Sequence, residues 1–387
     1  MRYRILAASV AIQICLGGVY AWSVFAVALD RELVIHAERS GFIFGLTIAV
    51  FTLTMIPAGR LLSRSGPRVM MALSGGLFAA GYLWAGYRGD FPGLVLGIGV
   101  LAGMGIGCGY VVPLATCTRW FPDKLGMVIG LAVAGFGAGG IVLSGAVEHA
   151  LEAGVAVTRI FQWIGIGYGA LIALAGSLLC FPPRAGSASH APVALGWTRM
   201  TPLMLGIFAG SFGGLLIIGH LDSIALDAGL PQAGSARAVM WFAAGNAAGR
   251  ILWGIFYDRA GRAMLPVSLG ALAVCIASLA LVRHAPGLMS LSAAAVGFGF
   301  GGCFVLYATD LSRRHGAAVM TRMYPWVFLF YGLAALIAPG LGGYLRLAHG
   351  RYLEAILLAA AVPAGAALLF PPILRRADPS PPPAARD

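Results

Sequence analysis

The stretch WFAAGNAAGRILWGIFYDRAGR, Trp241 to Arg262, is an apolar run with a single charge, Arg250, sunk well inside it and a cluster of charges, Asp258, Arg259 and Arg262, close to its end. About 20 apolar residues cross a bilayer as a helix. An arginine near the centre of such a helix costs roughly 2.5 to 3.5 kcal/mol on insertion scales, so it faces a protein interior or a water-filled cavity. A buried cation asks for an anion.

Working outward, the rest of the chain supports a bilayer reading. Of its 387 residues 59% are hydrophobic and 10% charged, with a mean hydropathy of +0.88. A soluble protein carries roughly a quarter charged residues, so this composition excludes a soluble domain. Runs long enough to span occur at about 5–29, 40–63, 67–87, 91–118, 124–148, 159–181, 201–224, 237–257, 263–283, 286–308, 318–346 and 352–373. The expected fold is an all-α membrane protein of twelve transmembrane helices in two pseudo-symmetric six-helix parts. Residues 1–181 form the first part, 182–200 a cytoplasmic linker, 201–373 the second part and 374–387 a proline-rich, disordered cytoplasmic tail. With both termini inside, 17 lysines and arginines fall on inner segments and 8 on outer ones. That bias places both termini in the cytoplasm, of a plasma (inner) membrane protein, and accounts for the net charge of +12 without a nucleic-acid partner.

The amino terminus, MRYR followed by apolar sequence, is too long an apolar run for a signal peptide and reads as the first span. Six cysteines, Cys15, Cys108, Cys117, Cys180, Cys275 and Cys303, lie in or beside apolar segments without metal-ligand spacing, and read as packing residues. No metal and no cofactor is expected.

An internal match relates the two parts. Gly59-Arg-Leu-Leu-Ser63-Arg64-Ser-Gly66 aligns with Gly254-Ile-Phe-Tyr-Asp258-Arg259-Ala-Gly261 at an offset of 195 residues. Repeated halves characterise secondary transporters, whose substrate sits near the midplane where they meet. Glycines crowd spans four and five, either for static packing or for motion between helices.

The same offset carries Arg250 onto Met55, so the buried charge occurs in one part only. Arg250 lies eight residues before Asp258, about 12 Å along a helix, which favours an anion site over a side chain reaching its own helix end or pairing structurally. Asn246, four residues earlier, shares its helix face, either as a second donor to a carboxylate or as interhelical glue. Gly245 and Gly249 flank the pair and are expected to leave room beside it. Tyr20, Tyr110 and Tyr331 lie within apolar sequence and are candidate hydroxyl donors.

At this point a resemblance becomes specific. Gly18-Val-Tyr20-Ala-Trp22-Ser-Val-Phe25, Gly109-Tyr110-Val-Val-Pro113 with Arg119-Trp-Phe-Pro-Asp123-Lys124-Leu-Gly126, and Asn246-Ala-Ala-Gly-Arg250 with Gly254 to Arg262 resemble the major facilitator superfamily, and within it the oxalate/formate antiporter and monocarboxylate transporter group. The resemblance implies that Arg250 holds a substrate carboxylate, that Asn246, Tyr110 and Tyr331 line the pocket, and that Gly59, Arg64, Gly66, Gly254, Asp258, Arg259, Gly261 and Arg262 belong to gating loops. Three departures bear on function. Where oxalate carriers of that group place a lysine in span eleven, this chain has Tyr331-Gly332; Ser63 stands where an aspartate is usual; and Asn246 replaces an acid one turn before the arginine. By the same resemblance Asp227 is the candidate for proton coupling, its alternative being a loop or capping aspartate. Glu148, His149, His220, Asp222 and Asp310 are mostly expected as solvated helix ends.

These readings converge on a secondary transporter, not an enzyme, for a small organic monocarboxylate such as lactate, pyruvate or formate, by alternating access and proton symport. An oxalate/formate-type anion exchanger is the alternative within that class, and a membrane-embedded anion sensor the alternative outside it. The expected partners are a small organic anion, a proton and the lipid bilayer.

Overall fold

Where no water can satisfy backbone groups, a chain this apolar must bond its own N–H and C=O groups, and open helices are the simplest way to do so. The computed structural model describes residues 1–183, 196–282 and 286–377, and among them it contains helices and short connections but no strand. The helices are α1 (Arg2–Gly17), α2 (Trp22–Leu33), α3 (Ala37–Arg88), α4 (Phe91–Leu94), α5 (Gly103–Trp120), α6 (Leu125–Glu152), α7 (Val157–Ser177), α8 (Trp197–Asp227), α9 (Gln232–Ala260), α10 (Met264–Val282), α11 (Pro286–His349) and α12 (Leu353–Ala377). A π-helical stretch, Val95–Ala102, joins α4 to α5. Most of the expected linker, residues 184–195, and residues 378–387 of the expected tail lie outside the described residues. Helix α12 itself continues to Ala377, past the point at which the tail was expected to begin.

Nine described helical segments are long and apolar enough to cross a membrane. Three of them, Glu38–Arg88, Arg237–Val282 and Leu288–His349, have 51, 46 and 62 residues. At 1.5 Å per residue these are roughly 70 to 90 Å of helix, more than twice a bilayer's hydrocarbon core of about 30 Å. Each is broken by a glycine with positive φ: Gly66 at 79°, Gly261 at 65° and Gly316 at 82°. Glycine enters that region without the steric penalty a Cβ brings, so it can turn the chain there. Gly66 and Gly261 are 195 residues apart, and the internal match therefore has a counterpart in backbone conformation.

Helices before residue 182 pack chiefly on one another, α3 on α5 and α7, and α1 on α6; those after 196 do likewise, α11 on α8 and α9, and α10 on α12. The two groups meet along two seams, α6 with α9 and α3 with α11. Small residues make both contacts possible. At the first seam a Cβ on Gly126 would overlap the Gly254 carbonyl, and one on Gly254 the Gly126 carbonyl; at the second a Cβ on Gly59 would overlap the Thr321 carbonyl. All six cysteines are free, four of them buried.

Candidate functional site

Helix α9 carries the buried charge, and its packing settles which way the side chain leaves. Gly245 and Gly249 do not open space beside Arg250, as their size suggested; they are filled by the Ala294 and Phe298 carbonyls of α11, while Gly297 and Gly301 of α11 admit the Phe242 and Asn246 carbonyls of α9 in return. This backbone-on-backbone contact pins α9 by one face. The Arg250 side chain leaves by another, over Gly137 of α6, where a Cβ would sit 3.1 Å from its Cζ.

Arg250 is 2% exposed. Its Nε donates to Asn246 Oδ1 at 2.8 Å, and its Nη1 donates to the Val133 carbonyl of α6 at 2.6 Å. The Phe304 ring of α11 lies under the guanidinium, 4.2 Å from Cζ to the ring centre, a cation–π geometry. Val133 sits one turn from Gly137, so the arginine bonds across the seam between the two helix groups. These bonds use two of five guanidinium N–H donors. Among the described residues no carboxylate pairs with Arg250, and none of its neighbours forms a metal-binding cluster.

The three tyrosines singled out in the sequence converge on the same place. Tyr20 lies in a tight 3-10 turn, Gly18–Ala21, that breaks the first span between α1 and α2; a Cβ on Gly17 would overlap the Phe136 carbonyl of α6, so the break brings α1 onto α6. Its hydroxyl shares a 2.8 Å hydrogen bond with that of Tyr331 on α11, again between the two groups, and also faces Arg250. Tyr331 stacks near Phe304 and Phe328, with ring centres 5.4 and 4.9 Å apart. Phe328 meets Tyr110 at 5.1 Å, and Tyr110 meets Phe136 edge to face at 5.0 Å. Two donors in this box lack partners: the buried Asn246 Nδ2 and the buried Tyr110 hydroxyl, which faces Tyr324 without bonding geometry. Asn246 thus both orients the arginine and keeps a free donor.

The loop residues separate into two kinds. Asp258 caps the start of α6, its Oδ1 and Oδ2 accepting from the Gly126 and Met127 amides at 2.9 and 3.0 Å, and Arg313 lies 3.6 Å from Oδ1. Arg262 lies 3.5 Å from Asp310, to which Tyr257 donates at 2.6 Å. Asp310 was expected as a solvated end and is instead 1% exposed, because the Gly261 turn folds Arg262 back over it. In the other loop Ser63 donates to the Arg60 carbonyl and accepts from Arg322 at 3.4 Å. Arg64 and Arg259 are exposed. Asp227 closes α8, exposed and ion-paired with Arg346 at 3.4 Å, and is not among the partners of Arg250.

Sequence reasoning missed the Val133 carbonyl, Phe304, Phe328 and Phe136. Nothing local marks a carbonyl as an acceptor for a residue 117 positions away. The aromatic residues had a faint signal in their apolar helices, with no means of saying which faced inward.

A model of the Major Facilitator Superfamily matches residues 7–339. The chain belongs to that superfamily. It is accordingly a membrane transporter and not an enzyme, with the all-helical superfamily fold. The oxalate:formate antiporter of Oxalobacter formigenes is 26% identical over 365 residues, covering 90% of this chain and 86% of its own. Human monocarboxylate transporter 11 is 29% identical over 357 residues, covering 84% and 74%. The crystal structure of the E. coli fucose:proton symporter FucP superposes with a TM-score of 0.72 over 96% of this chain and 98% of that one; at 14% identity it speaks for the fold alone.

Proposed function

We propose that this superfamily member carries a small organic monocarboxylate of the lactate, pyruvate or formate kind across the membrane by alternating access. The observation that carries the reading is Arg250, buried at 2% exposure between the two helix groups with no carboxylate partner among the described residues. A substrate carboxylate supplies the missing anion. Arg250 offers its unused N–H groups, Asn246 Nδ2 and the Tyr110 hydroxyl complete the donor set, and Tyr20 and Tyr331 close over it. One cation matches one negative charge, which favours a monocarboxylate over oxalate.

Splitting the three long segments at Gly66, Gly261 and Gly316 makes twelve spans, six before the 182–200 linker and six after it. The two groups rock about the α6/α9 and α3/α11 seams, with Gly59, Arg64, Gly66, Gly254, Asp258, Arg259, Gly261 and Arg262 gating the terminus-bearing face. That face is cytoplasmic on the charge bias, in a plasma (inner) membrane. Transport is proton symport, with Asp227, which pairs with Arg346 across the ends of α8 and α11, as the coupling carboxylate. The likeness to an oxalate:formate antiporter favours anion exchange as a second reading.

Uptake of labelled lactate or pyruvate into proteoliposomes, with and without an inward proton gradient, tests these points together. Gradient-stimulated uptake lost in Arg250→Ala is expected. Stimulation by internal anion without a gradient selects exchange, and undiminished uptake by Arg250→Ala removes the arginine from the site.

A further inference from the structure

The α3/α11 seam differs from the α6/α9 seam in a way the carrier cycle does not use. On its outer side an apolar cleft of about 310 Å³ opens between the two helices, lined by Ala49, Leu53, Leu329, Phe330, Leu333 and Leu336 among others, and it does not include Arg250 or its donors. Leu53, Leu333 and Leu336 are exposed. Going down α3 toward the terminus-bearing face, the stripe Ala49, Leu53, Arg60, Arg64 repeats at spacings of 4, 7 and 4, which keeps one helix face. On α11 the stripe Leu336, Leu333, Leu329, Trp326, Arg322 does the same. Arg60, Arg64 and Arg322 are exposed, and none of them is ion-paired among the described residues; Arg322 reaches only the Ser63 hydroxyl. Between the arginines and the cleft, Trp326 meets the exposed Trp197 edge to face, with ring centres 5.6 Å apart. Tryptophans favour the level of the lipid headgroups.

We infer that this seam is a binding site for one acidic phospholipid of the terminus-side leaflet. The phosphate lies against Arg60, Arg64 and Arg322, the glycerol region lies beside Trp326 and Trp197, and an acyl chain fills the cleft. Lengths agree: Leu53 and Arg60 are seven residues apart, about 10 Å along the helix, and one leaflet of hydrocarbon is about 15 Å deep. Charge agrees as well, since three guanidinium groups without an acid suit an anionic headgroup and not a zwitterionic one. The α6/α9 seam cannot take such a ligand, because Asp258 already supplies the negative charge there. A lipid wedged outside α3 and α11 would brace the seam whose loop has Ser63 in place of an aspartate.

The inference is independent of the transported substrate, and its test contains none. Native mass spectrometry of the full-length protein in detergent, titrated with phosphatidylglycerol, should show retention of one lipid per chain. Phosphatidylcholine should not be retained, and millimolar inorganic phosphate should not displace the bound lipid. The triple variant Arg60→Gln/Arg64→Gln/Arg322→Gln should lower retention by about tenfold or more. Leu333→Trp, which fills the cleft and leaves every charge in place, should lower it too, with circular dichroism confirming that each variant is folded. Equal retention of phosphatidylcholine, displacement by inorganic phosphate, or unchanged retention in both variants would each overturn the site.

Discussion

Gly59 and Gly254 stand 195 residues apart and do the same thing, whereas Met55 and Arg250 stand 195 apart and do not. At both glycines a neighbouring helix brings its backbone within a distance no Cβ would allow, and the partners, Thr321 and Gly126, are themselves 195 residues apart. The turns that follow, at Gly66 and Gly261, share a positive φ. Backbone geometry is thus repeated across the two helix groups. The chemistry is not: Phe51, Met55, Ser63 and Phe136 in the first group correspond to Asn246, Arg250, Asp258 and Tyr331 in the second. The second group supplies the charge, the amide and the Asp258 carboxylate, the first supplies the Val133 carbonyl, and both supply aromatic walls, Tyr110 and Phe136 from one and Phe304 and Phe328 from the other. An asymmetric ligand needs that inequality.

Removing the asymmetric charge should have the largest effect. Arg250→Ala leaves Asn246 Oδ1 and the Val133 carbonyl without their donor and, on the function proposed above, a substrate carboxylate without its cation; a loss of about 3 kcal/mol or more in substrate binding, a hundredfold or greater fall in uptake at low substrate concentration, is expected. Met55→Arg should not rescue it, since Met55 is fully buried in the hydrophobic core.

The matched glycines should respond alike, which is where the comparison is most easily broken. Gly59→Ala and Gly254→Ala each drive a Cβ into a carbonyl, and each should weaken closure at the terminus-bearing face by about 1 to 3 kcal/mol. Accessibility of a cysteine introduced beneath either seam reports it. A clear difference between the two variants would show that the hinges are not equivalent.

Smaller effects separate the two loops. Asp258→Asn removes the carboxylate charge from the start of α6 and should loosen the α6/α9 seam by about 1 kcal/mol, whereas Ser63→Ala gives up an exposed bond to the Arg60 carbonyl within its own helix and a long one from Arg322, and should be nearly silent in the same accessibility assay. Within the aromatic box, Tyr331→Phe breaks the hydroxyl pair with Tyr20 while keeping the ring stack, at about 1 kcal/mol or less. Its expected signature is a faster exchange of bound substrate with little change in the amount of folded protein. Slower exchange would mean that the pair is not a closure.

Much of this molecule was legible before any coordinates because a bilayer converts folding rules into one-dimensional signals. The apolar runs had to be helices, and a lone arginine in lipid had to point inward. Those constraints determined the all-helical membrane fold class and the candidate set of Arg250, Asn246, Tyr20, Tyr110 and Tyr331, since each rests on the cost of a single residue in its own segment. Tertiary structure decided what those residues meet. That Gly245 and Gly249 are filled by α11, that Val133 and Phe304 hold the guanidinium, that Asp258 caps α6 and that Asp310 is buried are all contacts between distant parts of the chain. No local pattern encodes them, because a carbonyl or an aromatic ring acquires its partner only when two helices come to lie side by side.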